Sequence, residues 1–223
     1  MAVVIDPLKP AINTLTIPDF KKENTALLVV DMQYFDASPD FGLVVDCRNK
    51  GIDVSYYVDR LALITANIKK LIDVCREKGV EVIYCTIESQ TNSGRDRSNI
   101  HKFAGFHVDP GSKGGAIIEE IAPLPGELLL RKTCSGVFNG TNIDQLLHNM
   151  NIENLMVTGV VTNQCVDTAI RDAADRGYNV TMVEDGCGAV HPTLHEATIE
   201  ILGGVYCRLA STDEAIENVK RSN

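Results

Sequence analysis

Three side chains far apart in the chain could together do covalent chemistry: Asp31, Lys132 and Cys165. Asp31 closes the apolar run Thr25-Ala-Leu-Leu-Val-Val, Lys132 closes Glu127-Leu-Leu-Leu-Arg, and Cys165 stands just past Asn154-Leu-Met-Val-Thr-Gly159. A thiol at the start of a helix meets unpaired backbone N–H groups and the positive end of the helix dipole. Both favour thiolate, so Cys165 is expected below the ordinary cysteine pKa of about 8.5. An ammonium at Lys132 would stabilise that thiolate and an ionised Asp31, and Asp31 could accept the thiol proton and return it to a leaving amine. The turn Gly159-Val-Val-Thr-Asn-Gln-Cys165 could aim backbone N–H groups at an oxyanion. Cys134 is the rival nucleophile because it lies beside Lys132 in sequence. It would leave a strand without a helix dipole, and a wall-packing role is expected for it.

These positions work together only if the chain carries them to one edge of one sheet. Thr25–Asp31 is short and almost wholly apolar, the pattern of a strand covered on both faces. From Tyr57 to Lys78, Leu61, Ile64, Ile68, Leu71, Ile72 and Cys75 recur at helical spacing, and Gly79 follows as a stop. Val80–Ile87, Glu127–Lys132, Asn154–Gly159 and Asn179–Asp185 read as further strands, and Val205–Leu209 as a sixth. Thr141-Asn-Ile-Asp144 has the form of a capping box opening a helix to Met150. Gln164–Arg176 reads as a helix stopped by Gly177, Pro192 opens another that runs to Gly203, and Asp213–Val219 forms the last. Strands alternating with helices imply right-handed crossovers and an α/β fold: a doubly wound, three-layer sandwich with a mostly parallel central sheet. Ligands bind such sheets beyond the carboxyl ends of the strands, where Asp31, Lys132 and Cys165 all fall.

Composition narrows the class. The 223 residues carry 21 Lys and Arg against 30 Asp and Glu, a net charge of −9 that argues against a nucleic-acid surface. With 44% hydrophobic and 23% charged residues the chain reads as one globular domain over 1–223, with 1–20 as an N-terminal extension. No apolar stretch approaches the ~20 residues a bilayer requires, so no membrane association is expected. Asp6, Pro7, Pro10 and Pro18 replace the basic start and apolar block of a secretory signal, and seven cysteines form no paired pattern. Free thiols and a cytoplasmic location are expected. His191 and His195, and His101 and His107 in a polar loop, are read as surface groups and not as metal ligands. Gly186-Cys-Gly188 lacks the rest of a dinucleotide fingerprint, so no nucleotide is expected. The loop holding Ser89, Gln90, Asn92, Arg95 and Arg97 could serve as a lid, with Asn92 and Arg97 the candidates to bind a ureido oxygen or a carboxylate.

The segments ALLVVDMQ, LLLRKTCSGVFNGTNIDQLL and NLMVTGVVTNQCVDTAIRDAADRGYNVTMVEDGCGA, in that order and spacing, resemble the isochorismatase-like cysteine hydrolases. That resemblance implies Asp31 as acid/base, Lys132 as charge-stabilising partner and Cys165 as nucleophile. It also implies a cis peptide between Val160 and Val161, an oxyanion hole from the N–H groups of Val161 and Cys165, and a homodimer or homotetramer. Many members continue Asn-Asp-Phe after the Asp-Met-Gln, where this chain has Tyr34-Phe35-Asp36, so Phe35 and Phe138 are only candidate pocket walls. The Asp-x-His metal motif of nicotinamidase relatives is missing between Glu88 and His107, so neither a metal nor another cofactor is expected. The expected activity is hydrolysis of a C–N bond in a small amide, carbamoyl or ureido compound through a thioester. Vinyl-ether hydrolysis of an isochorismate-like substrate, or ligand binding without catalysis on the same fold, are the alternatives.

Overall fold

The structure, a computed structural model, describes residues 20–222 together with Leu8, Lys9 and Leu15. The rest of the expected N-terminal extension, including Asp6, Pro7, Pro10 and Pro18, lies outside the described residues. Among those described, the helices and strands run β1 (Thr25–Val30), α1 (Tyr34–Ala37), α2 (Gly42–Asn49), α3 (Ser55–Lys78), β2 (Glu81–Ile87), α4 (Asn99–Ala104), β3 (Leu128–Lys132), α5 (Val137–Gly140) and α6 (Ile143–Asn149). They continue with β4 (Asn154–Val160), a π-helical turn (Thr162–Val166), α7 (Asp167–Asp175), β5 (Asn179–Gly188), α8 (Pro192–Leu202), β6 (Arg208–Ala210) and α9 (Thr212–Arg221).

The six strands form one sheet in the order β3-β2-β1-β4-β5-β6, and every pairing is parallel. Because β1 lies between β2 and β4, its side chains face helices on both sides, which is why the run is apolar at consecutive positions. Leu27 and Val29 point into a core shared with Leu61, Ile64, Ile68, Leu71 and Ile72 of α3 and Ala215 and Val219 of α9. Ala26, Leu28 and Val30 point the other way, into a core with Val137, Leu147, Ala169, Ile170 and Leu202 from α5 to α8. These are the three expected layers. Each fully buried Leu or Ile contributes roughly 1.5–3 kcal/mol of transfer free energy, so the strand cannot slip without losing both cores. The expected stop at Gly79 is present, with a left-handed φ of 74° and its N–H turned back to the carbonyls of Cys75 and Arg76. No helix among the described residues is long and apolar enough to cross a membrane.

Local expectations fail where a side chain finds a better partner. Thr141 and Asp144 form no capping box. Thr141 Oγ1 donates to Val137 O at 2.7 Å and accepts from Ile143 N at 3.2 Å, Asp144 Oδ1 accepts from Tyr178 Oη at 3.0 Å, and the residue that precedes α6, Asn142, makes no side-chain cap. The box forms at Ser211 and Glu214, which opens α9 one residue earlier than expected. The sixth strand is Arg208–Ala210 and not Val205–Leu209, because the N–H groups of Val205, Tyr206 and Cys207 all fold back onto Leu202 O and are lost to a ladder. Strand β5 runs on to Gly188 after a register shift opposite Val157 and Gly159 of β4.

Gly159 sits at that irregularity with φ +113°, and a Cβ there would lie 2.0 Å from Val30 O of β1. Both the backbone angle and the space require glycine, and they do so where β1 and β4 deliver their carboxyl ends. Gly159→Ala is expected to destabilise the protein by about 2–4 kcal/mol, read as a lowered midpoint in urea unfolding. An unchanged midpoint would show that the two strands separate easily at this point.

Candidate active site

The sheet order reverses between β1 and β4, the point where open α/β sheets leave a crevice at their carboxyl ends. Asp31 leaves β1 there with a left-handed φ of 51°, a conformation that Asp tolerates better than most residues, and its N–H bonds Cys85 O at 2.9 Å. Gln33 pins the next turn: its Oε1 accepts from Ile87 N at 2.6 Å, and its Nε2 donates to Ile87 O and Gly114 O, both at 3.0 Å. Lys132 ends β3, and Cys165 lies in the π-helical turn that follows β4. The peptide joining Val160 and Val161 is cis, as the resemblance implied.

The three side chains meet. Lys132 Nζ donates to Asp31 Oδ2 at 2.8 Å, approaches Cys165 Sγ at 3.6 Å, and reaches Cys134 O at 3.3 Å. The side chains of Lys132 and Asp31 are 0% and 2% exposed, so their attraction acts in a poorly screened environment. Burial works against the Lys132 ammonium, but the negative charge of Asp31 more than compensates and holds its pKa up. Burial raises the Asp31 carboxyl above its usual range, and Lys132 opposes that rise. The outcome is a carboxylate of increased basicity that stays ionised beside its ammonium. Asp31 Oδ1 has no conventional hydrogen-bond partner among the described residues, and the Cys165 thiol is the adjacent donor acting on this carboxyl.

For Cys165 itself the expected depressed pKa is reversed. Burial, and next the charge of Asp31, push the thiol well above the ordinary cysteine range, and Lys132 offsets only part of this. A thiolate would need solvent or an unopposed cation, whereas Cys165 is 5% exposed and faces a carboxylate. The resting form is therefore the thiol. Cys134, half-buried, donates to Gly136 O at 3.4 Å and does not line the cavity, which agrees with a packing role.

The turn bearing Cys165 is fastened from behind. Thr162 Oγ1 lies 2.9 Å from His195 Nδ1, and His195 Nε2 lies 2.8 Å from Arg60 Nη2. An arginine can only donate, so Nε2 accepts and Nδ1 carries the proton toward Thr162. Burial and then Arg60 bring the His195 pKa down to about 4, which keeps this relay neutral. His195 is thus a buried anchor and not the surface group expected. His191 caps α8 by accepting from Thr193 N at 3.3 Å.

A cavity of about 300 Å³ opens over Asp31 and Cys165, with Val161 and Gln164 in its wall beside Asp36, Tyr57, His101, Phe106 and Ser135; Lys132 lies behind that wall. A groove of about 560 Å³ against α3 contains none of the triad. Four expected binding residues do not line the cavity. Phe35 packs edge-on to Phe106, with ring centres 6.2 Å apart, and so backs the wall without forming it. Phe138 is buried beneath Tyr178 and Arg176 in the core. Arg97 turns inward to Gly94 O at 3.0 Å and Phe106 O at 2.5 Å, and Asn92 is exposed at the loop tip. That loop is tied together, because the Asp96 carboxylate accepts from Gln90 N, Thr91 N and Thr91 Oγ1. His101, expected in a loop, lies in α4 and is 4% exposed, with Nε2 3.2 Å from Ser135 Oγ. Sequence reasoning missed His101, Ser135 and Asp36. The signal for Asp36 was a carboxylate one turn beyond Asp31 inside otherwise apolar surroundings. No group of three or more potential metal-ligating side chains occurs among the described residues.

An isochorismatase domain matches residues 25–214, and the chain belongs to the isochorismatase family. It is 34% identical over 200 residues to the ureidoacrylate amidohydrolase RutB of Agrobacterium fabrum, an alignment spanning 80% of this chain and 82% of that protein. The RutB of Cronobacter turicensis is 32% identical over 202 residues, covering 82% of this chain and 83% of its own. Among solved structures, a cysteine hydrolase from Pseudomonas syringae pv. phaseolicola superposes with a TM-score of 0.80 at 23% identity, covering 92% of this chain and 97% of that one. The N-carbamoylsarcosine amidase of Thermoplasma acidophilum gives a TM-score of 0.68 at 24% identity, covering 86% of this chain and 98% of that one.

Two outcomes are expected from this electrostatic arrangement. Alkylation of Cys165 in the ligand-free protein, followed by mass spectrometry of its peptide, should accelerate continuously between about pH 6 and pH 9 without a plateau, because the thiol pKa is raised. A rate that levels off below neutrality would mean a resting thiolate. Lys132→Met should cost about 3–5 kcal/mol at neutral pH, since it strands a buried carboxylate. Without its partner the folded-state pKa of Asp31 rises further above its unfolded value, so the folded state binds the extra proton. The variant should therefore regain stability as pH falls through neutrality toward about 5, and a flat difference between the two proteins over that range would contradict this.

Proposed function

We propose that this chain is a cysteine-dependent amidohydrolase that cleaves a C–N bond of a small linear amide, carbamoyl or ureido compound. The supporting observation is the buried Lys132 ammonium, 2.8 Å from Asp31 Oδ2 and 3.6 Å from Cys165 Sγ, behind a cavity whose wall holds Asp31 and Cys165. The names and identities of the RutB relatives support the substrate chemistry.

The mechanism follows from the protonation states. As Cys165 Sγ attacks the substrate carbonyl, its proton passes to Asp31, so no free thiolate need accumulate in the buried site. Lys132 stays charged and lies beside both atoms between which the proton moves. A C–S bond forms and the carbonyl oxygen becomes an oxyanion. The N–H groups of Val161 and Cys165, in the first turn after β4 where helical amides lack acceptors, receive it. Collapse breaks the C–N bond, Asp31 delivers its proton to the departing nitrogen, and a thioester remains on Cys165. Asp31, again ionised, deprotonates an entering water. Hydrolysis of the thioester then releases acid or carbamate and restores the thiol.

Cys165→Ala should lower ammonia release from amides and ureides by at least about a thousandfold while leaving circular dichroism and the unfolding midpoint near wild type. Turnover within a few-fold of wild type in that variant would refute the nucleophile.

A further inference from the structure

Three polar atoms of the cavity wall lack a hydrogen-bond partner among the described residues: Asp31 Oδ1, Asp36 Oδ2 and His101 Nδ1. The mechanism above uses the first. Asp36 lies on α1, lines the cavity and is 8% exposed; its backbone carbonyl accepts from Tyr57 Oη at 3.0 Å, while its buried carboxyl Oδ2 has no hydrogen-bond partner among the described residues. A buried carboxyl atom without a partner is costly, and native proteins retain such atoms where a ligand completes them.

The surroundings define that ligand. Asp31, Asp36 and Asp53 line the cavity, and no Lys or Arg does; the nearest ammonium, that of Lys132, is taken up by Asp31. A substrate carboxylate would enter an acidic, poorly solvated space with no cation to meet it. Burial, and next the charge of Asp31, push the Asp36 carboxyl well above the usual carboxylate range. That shift favours the protonated form of Asp36, which carries one O–H donor and a carbonyl acceptor side by side. A primary amide or ureido end presents the complementary C=O and N–H. His101, kept neutral by burial and by Lys132, adds a further polar atom without adding charge.

We propose that Asp36 is the specificity-determining residue of this cavity, pairing through its carboxyl with the non-scissile amide or ureido end of an uncharged substrate and disfavouring substrates that carry a carboxylate. The inference rests on the amidohydrolase reading and narrows it: a ureido acid such as ureidoacrylate would be a poor substrate for this chain.

The test compares three ureides matched in size: N-carbamoylglycine amide, which is uncharged, N-carbamoylglycine, which is anionic, and N-carbamoylethylenediamine, which is cationic. Ammonia release gives kcat and KM. Calorimetric binding to the Cys165→Ala protein gives affinity independently of turnover. Wild type should favour the uncharged amide over the acid by at least about tenfold in kcat/KM, with the same order in affinity. Asp36→Leu should reduce that preference about tenfold, mainly through KM. Asp36→Asn, which keeps a donor and an acceptor at the same atoms, should retain the preference even though its absolute rates fall. The inference is overturned if the acid is used as well as the amide, or if Asp36→Leu leaves the ratio unchanged. It is equally overturned if Asp36→Asn behaves like Asp36→Leu while the cationic ureide is best in wild type, since Asp36 would then be an ionised counter-ion. If Asp36→Leu does not fold, the wild-type ratio and Asp36→Asn decide. Selective binding without ammonia release from any compound would reject the hydrolytic reading and leave the role of Asp36 standing, and absence of both would reject both.

Discussion

A fully buried ion pair, Lys132 with Asp31, is the constraint on which the rest of the site depends. Two charges withdrawn from water cost several kcal/mol each, and only close mutual contact and further hydrogen bonds offset that cost. The 2.8 Å contact between them can be kept only while the ends of β3 and β1 stay fixed relative to each other, with β2 between them. The parallel register, the Gln33 side chain bonded across to Ile87 and Gly114, and the two apolar cores all serve that alignment. The same pair sets the chemistry, because it keeps an ionised base of raised pKa next to a thiol that burial holds protonated.

The cysteine of the proposed mechanism therefore differs from one activated in advance. Helix-terminal amides are available to it, but loss of solvent and the facing Asp31 charge outweigh them. In the proposed mechanism, activation is deferred until a carbonyl is present to take the developing negative charge into the turn after β4. That turn is anchored through Thr162 to His195 and Arg60, and Arg60 also holds the carbonyls of Glu184 and Cys187 in β5. The turn carrying Cys165 is thus tied to the sheet through Thr162, His195 and Arg60.

Much of this was legible in the sequence, for a physical reason. A parallel strand buried on both faces must be apolar throughout, so the charged residue that ends such a run, Asp31 after β1, marks the carboxyl edge. The long period of α3 and its glycine stop were equally plain, because one helix face alone meets the core. What stayed hidden was tertiary. The thiol pKa depends on burial and on a carboxylate distant in sequence, and nothing local to Cys165 encodes either. Arg97 looked like a free ligand-binding cation, yet its guanidinium is used up by backbone carbonyls of its own loop. His101 and His195 sit in segments whose local composition reads as surface, and only the packing of α4 and α8 buries them. Val205–Leu209 has strand composition, but three N–H groups converging on Leu202 O close it into a turn first.

The account's central claim is that a carbonyl carbon becomes bonded to Cys165 through proton transfer to the Lys132-paired Asp31. Acid quenching of the protein during turnover of an uncharged ureide, followed by intact-mass and peptide mass spectrometry, reads that bond directly. The account predicts an adduct of the acyl or carbamoyl mass on the Cys165 peptide alone, appearing before product and decaying when substrate is exhausted. Product formation at full rate with an unmodified Cys165 throughout, or an adduct on Cys134 instead, would contradict it.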